Sequence, residues 1–127
     1  MFIYLWIGLG GFLGANARYI IGTWVQVRLA HDLTFPYGTL VVNVSGSFLV
    51  CFLVVCFSHR VDLASPLRFA LLTGFLGSYT TFSTFSNEWL QLFQNGEIGR
   101  GLGYMLGNVI GGGVAGGLGL LAGRLWS

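Results

Sequence analysis

The sequence is poor in charge. Four Asp or Glu and six Arg make up 8% of its 127 residues, against about 25% in an ordinary protein. Lysine is absent. So few charges cannot hold water around a chain that is 54% hydrophobic, which excludes a large water-exposed surface, a charged tail and intrinsic disorder. A net charge of +2 is too small for a nucleic-acid footprint, and no nucleic-acid partner is expected. Cysteine is scarce too. Cys51 and Cys56 share one apolar run without metal-ligand or disulfide spacing, and read as free thiols buried in a helix. His31 and His59 both lie between apolar runs, so an intramembrane hydrolase would have no base where it needs one. The chain does not read as an enzyme.

What is plentiful is apolar sequence and glycine. Aromatics are 16%, and glycine is 21 of 127 residues, more than double the usual share of about 7%. This is the composition of an integral membrane protein. A spanning helix needs about 20 mostly apolar residues, and charges and prolines cut the chain into four such pieces. They run over residues 2–29, 37–58, 66–93 and 101–126, within one transmembrane domain covering 1–127. The separators are short: one carries His31 and Asp32, the next Arg60 and Asp62, the last the turn dipeptide Asn95-Gly96. Transmembrane strands would be about 10 residues long and alternating, and these runs are neither. The first run lacks a basic leader and exceeds a signal core, so it is expected to stay as a span. The fold class expected is all-α, with four transmembrane helices in the lipid bilayer.

Cations near span ends orient a helical membrane protein. Arg60, Arg68 and Arg124 would lie on one side, Arg28 and Arg100 on the other. Three against two is almost no bias, so the chain is open to insertion both ways up and to antiparallel pairing of two copies. Glycines four apart let helix backbones approach closely in lipid. They occur at Gly10 and Gly14, and in the fourth span at Gly103, Gly107 and Gly111, with Gly112–Gly116, Gly113–Gly117 and Gly119–Gly123.

Polar residues inside spans are costly and are functional candidates by default. Thr39, Asn43 and Ser47 rise at four-residue steps on one face of the second span, as Tyr104 and Asn108 do in the fourth. Such stripes either hold helices in register or line a path. The third span is the unusual one. Gly74 and Gly77 precede a dense run of hydroxyls, a poor helix interior. A break there frees backbone groups at mid-membrane, tolerated only where they are buried in protein or line a watery cavity. Phe82 and Phe85, three apart, share a face, and a ring edge is positive enough to stabilise an anion. The first, second and fourth spans contain no Asp or Glu, and Glu88 is the only candidate proton carrier in the third. A proton-coupled pump is therefore poorly equipped, and a passive anion path built from neutral donors fits better. Arg18, deep in the first span, either draws anions into a vestibule or snorkels to a carbonyl.

Thr-Thr-Phe-Ser-Thr-Phe at 80–85, preceded by Gly77, joins Gly-Gly-x-x-Gly-Ala-x-x-Arg-Tyr at 10–19 and Gly-Thr-Leu-x-x-Asn-x-x-Gly at 38–46. With these motifs, in this order, the chain resembles the Fluc (CrcB) fluoride channels over essentially its whole length. The resemblance implies a four-helix subunit whose third helix is broken near its middle, in an antiparallel, dual-topology homodimer. It implies two fluoride pores in the plasma (inner) membrane, exporting toxic fluoride passively. By the same resemblance, Phe82 and Phe85 form an aromatic box, Asn43 is the pore amide, and Ser83 and Tyr104 supply hydroxyls. Carbonyls of Gly77 and Thr80 from both subunits would hold a structural Na+ at the dimer interface. The family often has a second glycine where this chain has Ser78. Hydroxyls found further along the last helix in relatives are thin here, since residues 111–113 are all glycine, and Asn108 is the expected substitute. Two other readings compete. A small dual-topology multidrug or cation exporter would need a membrane-embedded carboxylate, which the first span lacks. A non-transporting assembly subunit would use the polar stripes only for helix registry.

Overall fold

A computed structural model describes residues 1–29, 34–60 and 65–126. His31, Asp32 and Asp62, expected in the separators, lie outside the described residues. The described chain is helical almost throughout. Helix α1 is Phe2–Leu29 and α2 is Tyr37–Arg60, two residues longer than its expected span. The third segment is divided. Its first part, α3 (residues 66–79), starts α-helical at Pro66–Arg68, is wound as a π-helix over Phe69–Leu76 and returns to α at Gly77–Tyr79. Thr80 and Thr81 are extended. Helix α4 (Phe82–Gln94) follows, and α5 (Ile98–Trp126) completes the chain.

Pro66 opens α3 where a missing N–H costs nothing. The α4–α5 connection is shorter than expected and is closed by hydrogen bonds. Glu97 N–H donates to Leu92 O at 2.8 Å and Gly96 N–H to Phe93 O at 3.0 Å. Gly96 takes a φ of 78°, the left-handed conformation that this helix-ending motif requires and glycine adopts without penalty.

Helix α2 packs along α5, α1 along the π-wound α3, and α4 against α5. Some of the glycine pairs explain how. A Cβ at Gly10 would fall on the Ala70 carbonyl, and one at Gly14 on the Phe75 carbonyl, so α1 and α3 touch backbone to backbone. Gly119 lies likewise on the Phe48 carbonyl of α2, and a Cβ at Gly123 would come within 2.8 Å of Val55 Cβ. Among the described residues, a Cβ at Gly103, Gly113 or Gly117 would meet nothing within 4 Å. Close packing within the subunit thus uses only part of the glycine pattern. Ser78, where a glycine was the commoner expectation, has its one hydroxyl between Gly74 O of its own helix at 2.8 Å and Gly11 O of α1 at 2.9 Å.

The outside of this bundle is apolar. Phe12, Tyr19, Trp24, Val109 and Leu125 are among many large side chains left exposed, far beyond the patches a water-soluble monomer presents. By length and apolarity alone α2 (over Tyr37–Ser58) and α5 qualify as spans. Helix α1 is diluted by Asn16 and Arg18, and each half of the third segment is too short alone. Near the end of α1, Arg28 lies over the Trp24 ring at 5.9 Å, an aromatic–cation pair of the kind that anchors a helix at the membrane–water boundary. Cys51 and Cys56 are free thiols, half-buried rather than buried.

Candidate functional site

The two polar stripes face each other. Asn43 Nδ2 on α2 donates to Asn108 Oδ1 on α5 at 3.0 Å. One turn away, Thr39 Oγ1 donates to Glu88 Oε1 at 2.9 Å, and Tyr104 OH donates to Glu88 Oε2 at 2.5 Å. Asn108 Nδ2 donates back to Tyr104 O at 3.0 Å, and Ser47 Oγ to Asn43 O at 2.8 Å. A continuous polar column therefore runs between α2, α4 and α5.

The column grips the interruption between α3 and α4. Thr81 N–H donates to Asn43 Oδ1 at 2.9 Å, and Asn43 Nδ2 donates to Thr81 O at 3.2 Å. The Asn43 amide thus pairs with the Thr81 peptide on both edges, as a neighbouring strand would. Both of its N–H groups are engaged, so Asn43 can offer one to an anion only by exchanging a bond. Thr81 also caps α4: its Oγ1 accepts from Thr84 N–H at 3.2 Å, which satisfies an amide that the helix start would otherwise leave open. These two substitutions have a consequence for the carbonyls upstream. In an unbroken helix Thr81 N–H would close on Gly77 O and Thr84 N–H on Thr80 O. Here both amides go elsewhere.

A cavity of about 390 Å³ opens beside this interruption, and Asn43, Gly77, Thr80, Phe82, Phe85 and Asn108 line it. Among the described residues, no charged side chain is on its wall. The two rings differ sharply. Phe85 is 7% exposed and packs on Tyr104 at 5.4 Å between centroids, whereas Phe82 is 79% exposed, 5.7 Å from Phe85. Six of the nine residues expected at the site thus come together.

Of the other three, Tyr104 is fully buried behind Phe85, with its hydroxyl turned to Glu88 rather than to the cavity. Ser83 is exposed and off the cavity wall. It follows Phe82 by one residue, about 100° around the helix. Arg18 lines a separate hollow of about 470 Å³, with Gln26, Thr39 and Glu88. Glu88 therefore touches both the column and the Arg18 hollow.

Known sequences now place the chain. The profile described as "CrcB-like protein, Camphor Resistance (CrcB)" matches residues 5–120. The chain belongs to the CrcB-like family. A relative from Acidobacterium capsulatum named fluoride-specific ion channel FluC is 46% identical over 101 residues, 80% of this chain and 79% of that one. A protein of the same name from Rhizobium meliloti is 43% identical over 105 residues, 83% and 82% of the two chains. One from Chloroflexus aurantiacus is 42% identical over 118 residues, 93% and 92%. Membership of a family with ion-channel relatives, together with the apolar exterior, makes this a membrane protein. Sequence reasoning about this CrcB-like chain considered Glu88 only as a proton carrier, and gave no separate role to Thr81 or Thr84. A Thr directly before a helical run is an N-cap signal, and Thr81 carries it. For Glu88 the signal was its isolation as the only acid in a span.

Proposed function

We propose that two copies of this chain, inserted antiparallel in the plasma membrane, form a passive fluoride-specific channel with two pores that exports cytoplasmic fluoride. The observation that carries this reading is the uncharged cavity where the Asn43–Asn108 pair, the Thr81 peptide and the rings of Phe82 and Phe85 converge. Neutral donors and ring edges can replace part of an anion's hydration shell without holding it as a guanidinium would. The relatives, fluoride-specific ion channels by name, supply the ion. Arg18, in its hollow beside Glu88, serves as the attracting vestibule charge, and Ser83 adds a hydroxyl from the second copy's side.

Antiparallel pairing has its own support. Phe82, Ser83 and Asn87 are exposed on α4, in a stretch of chain that belongs at membrane depth. Polar groups there do not face lipid without cost, and a second copy laid over them removes that cost while completing the wall beside Phe82. The nearly even division of arginines permits opposite insertion. The carbonyls of Gly77 and Thr80 fit a hard monovalent cation, because their ordinary helical partners are diverted to Asn43 and to Thr81 Oγ1. Oxygen donors suit such an ion. Na+ held between two copies by these four carbonyls would neutralise their dipoles and pin the crossing.

The test is reconstitution of the purified chain alone in liposomes, with efflux followed by a fluoride electrode. Fluoride release carrying net current, with chloride retained, is expected. No release, or equal release of chloride, refutes the proposal. Electroneutral release would instead favour coupled exchange.

A further inference from the structure

Among the described residues one buried side-chain nitrogen or oxygen has no hydrogen-bond partner, and it is Nη1 of Arg68. Buried donors are nearly always paired, and a charged one left alone is the costliest kind. The first turn of α3, where Arg68 lies, contains no acidic residue. Arg68 also lines a cavity of about 340 Å³ with Phe69, Leu72 and Thr73. In an α-helix, positions 68 and 73 would point roughly 140° apart. The i→i+5 closure of the π-stretch brings residues five apart towards one face, and both side chains reach this cavity. The result is a guanidinium, a hydroxyl five residues further along, and apolar walls between them.

We propose that this cavity binds an anionic phospholipid. Arg68 takes the phosphate, Thr73 donates its exposed hydroxyl to a glycerol-ester oxygen, and an acyl chain lies along Phe69 and Leu72. Three features favour a lipid over a free anion. Arg68 is in the first turn of a membrane segment, at the level where arginines near helix ends meet headgroups. The walls between the two polar groups are hydrocarbon, as is the adjoining Leu67, 48% exposed. A guanidinium matches a phosphate with two parallel hydrogen bonds. The site shares Leu72 with the uncharged cavity but none of the residues of the polar column.

Lipid retention by the purified full-length protein, counted by native mass spectrometry during titration with phosphatidylglycerol or phosphatidylcholine, tests this. Wild type is expected to prefer phosphatidylglycerol. Arg68→Gln should weaken that lipid by about fivefold, the effect of one arginine at an anionic surface, and leave phosphatidylcholine unchanged. Thr73→Val should weaken it less. Inorganic phosphate at the same concentration should not displace the lipid. Equal retention of the two lipids by wild type, or undiminished phosphatidylglycerol binding in Arg68→Gln, overturns the proposal, and displacement by phosphate overturns the lipid in favour of a soluble anion. If Arg68→Gln does not fold, the wild-type preference and Thr73→Val decide the matter, since an unaffected Thr73→Val also counts against the site. None of these readouts depends on fluoride conduction.

Discussion

Replacing Asn43 with Leu, similar in size but apolar, removes three hydrogen bonds together. Two of them hold the backbone N–H and C=O of Thr81, a residue only 9% exposed. A buried backbone group left unsatisfied costs about 1–3 kcal/mol, and the lost side-chain bond to Asn108 about 0.6 kcal/mol in a membrane protein. The loss therefore comes to roughly 3–6 kcal/mol, a large part of the stability of a small domain. Asn108→Leu breaks only the bond between the two amides and the one to Tyr104 O, and should cost about 1–2 kcal/mol. The two variants are equal in chemistry and differ in whether they unclasp the backbone. Thermal unfolding in detergent gives the stabilities, and hydrogen exchange of peptides covering residues 79–84 shows the Thr81 amide directly. Asn43→Leu should melt well below Asn108→Leu and lose protection at Thr81. Equal melting, with Thr81 still protected, would show that the clamp does not hold the interruption in place.

Other perturbations separate packing from conduction. Phe82→Ile should reduce or alter fluoride flux in liposomes while the protein still inserts and elutes as a dimer, because Phe82 contributes little to the subunit's own core; unchanged flux would remove the ring-edge role. Tyr104→Phe deletes one of the two hydroxyls on Glu88 and should cost about 1–3 kcal/mol in a melt, with lower fluoride flux, whereas an unaffected melt would mean the column does not stabilise the bundle. Gly119→Ala puts a methyl on the Phe48 carbonyl and should destabilise by about 1–3 kcal/mol through overpacking. Gly103→Ala, which meets nothing in the subunit, should be neutral or stabilising by up to about 1 kcal/mol, and the reverse order of the pair would show that α2 and α5 are not in backbone contact.

Much of this architecture could be read in advance because lipid imposes simple rules. Long apolar runs cut by Pro36, Pro66 and a few charges marked four helical segments, and four-residue steps put Asn43 and Asn108 each on a polar stripe. That the stripes belong to facing helices could not be read, since 65 residues separate the partners and a single sequence holds no distances. The clamp on Thr81 was hidden for the same reason. The π-winding of Phe69–Leu76 was hidden for another: nothing in its composition distinguishes it from an α-helix carrying one glycine, and it lies against Gly10 and Gly14 of α1. Ser83 lies off this cavity wall because adjacency in a motif is not adjacency on a helix. Tyr104 stands on the expected stripe, with its hydroxyl donating to Glu88 instead of facing the cavity.

In the antiparallel pair proposed above, the outward polar face of α4 bears on the lifetime of the assembly. Separating two copies in a bilayer would return Ser83 and Asn87 to hydrocarbon, at about 1–3 kcal/mol for each polar group left without a partner. Two copies double that charge against dissociation before any van der Waals contact is counted. Partner exchange between finished channels should therefore be slow, and a subunit that has not yet met a partner would be the form that a membrane protease can distinguish. Permanence of the pair would then come from the same hydroxyls and amide that make a single copy ill suited to lipid.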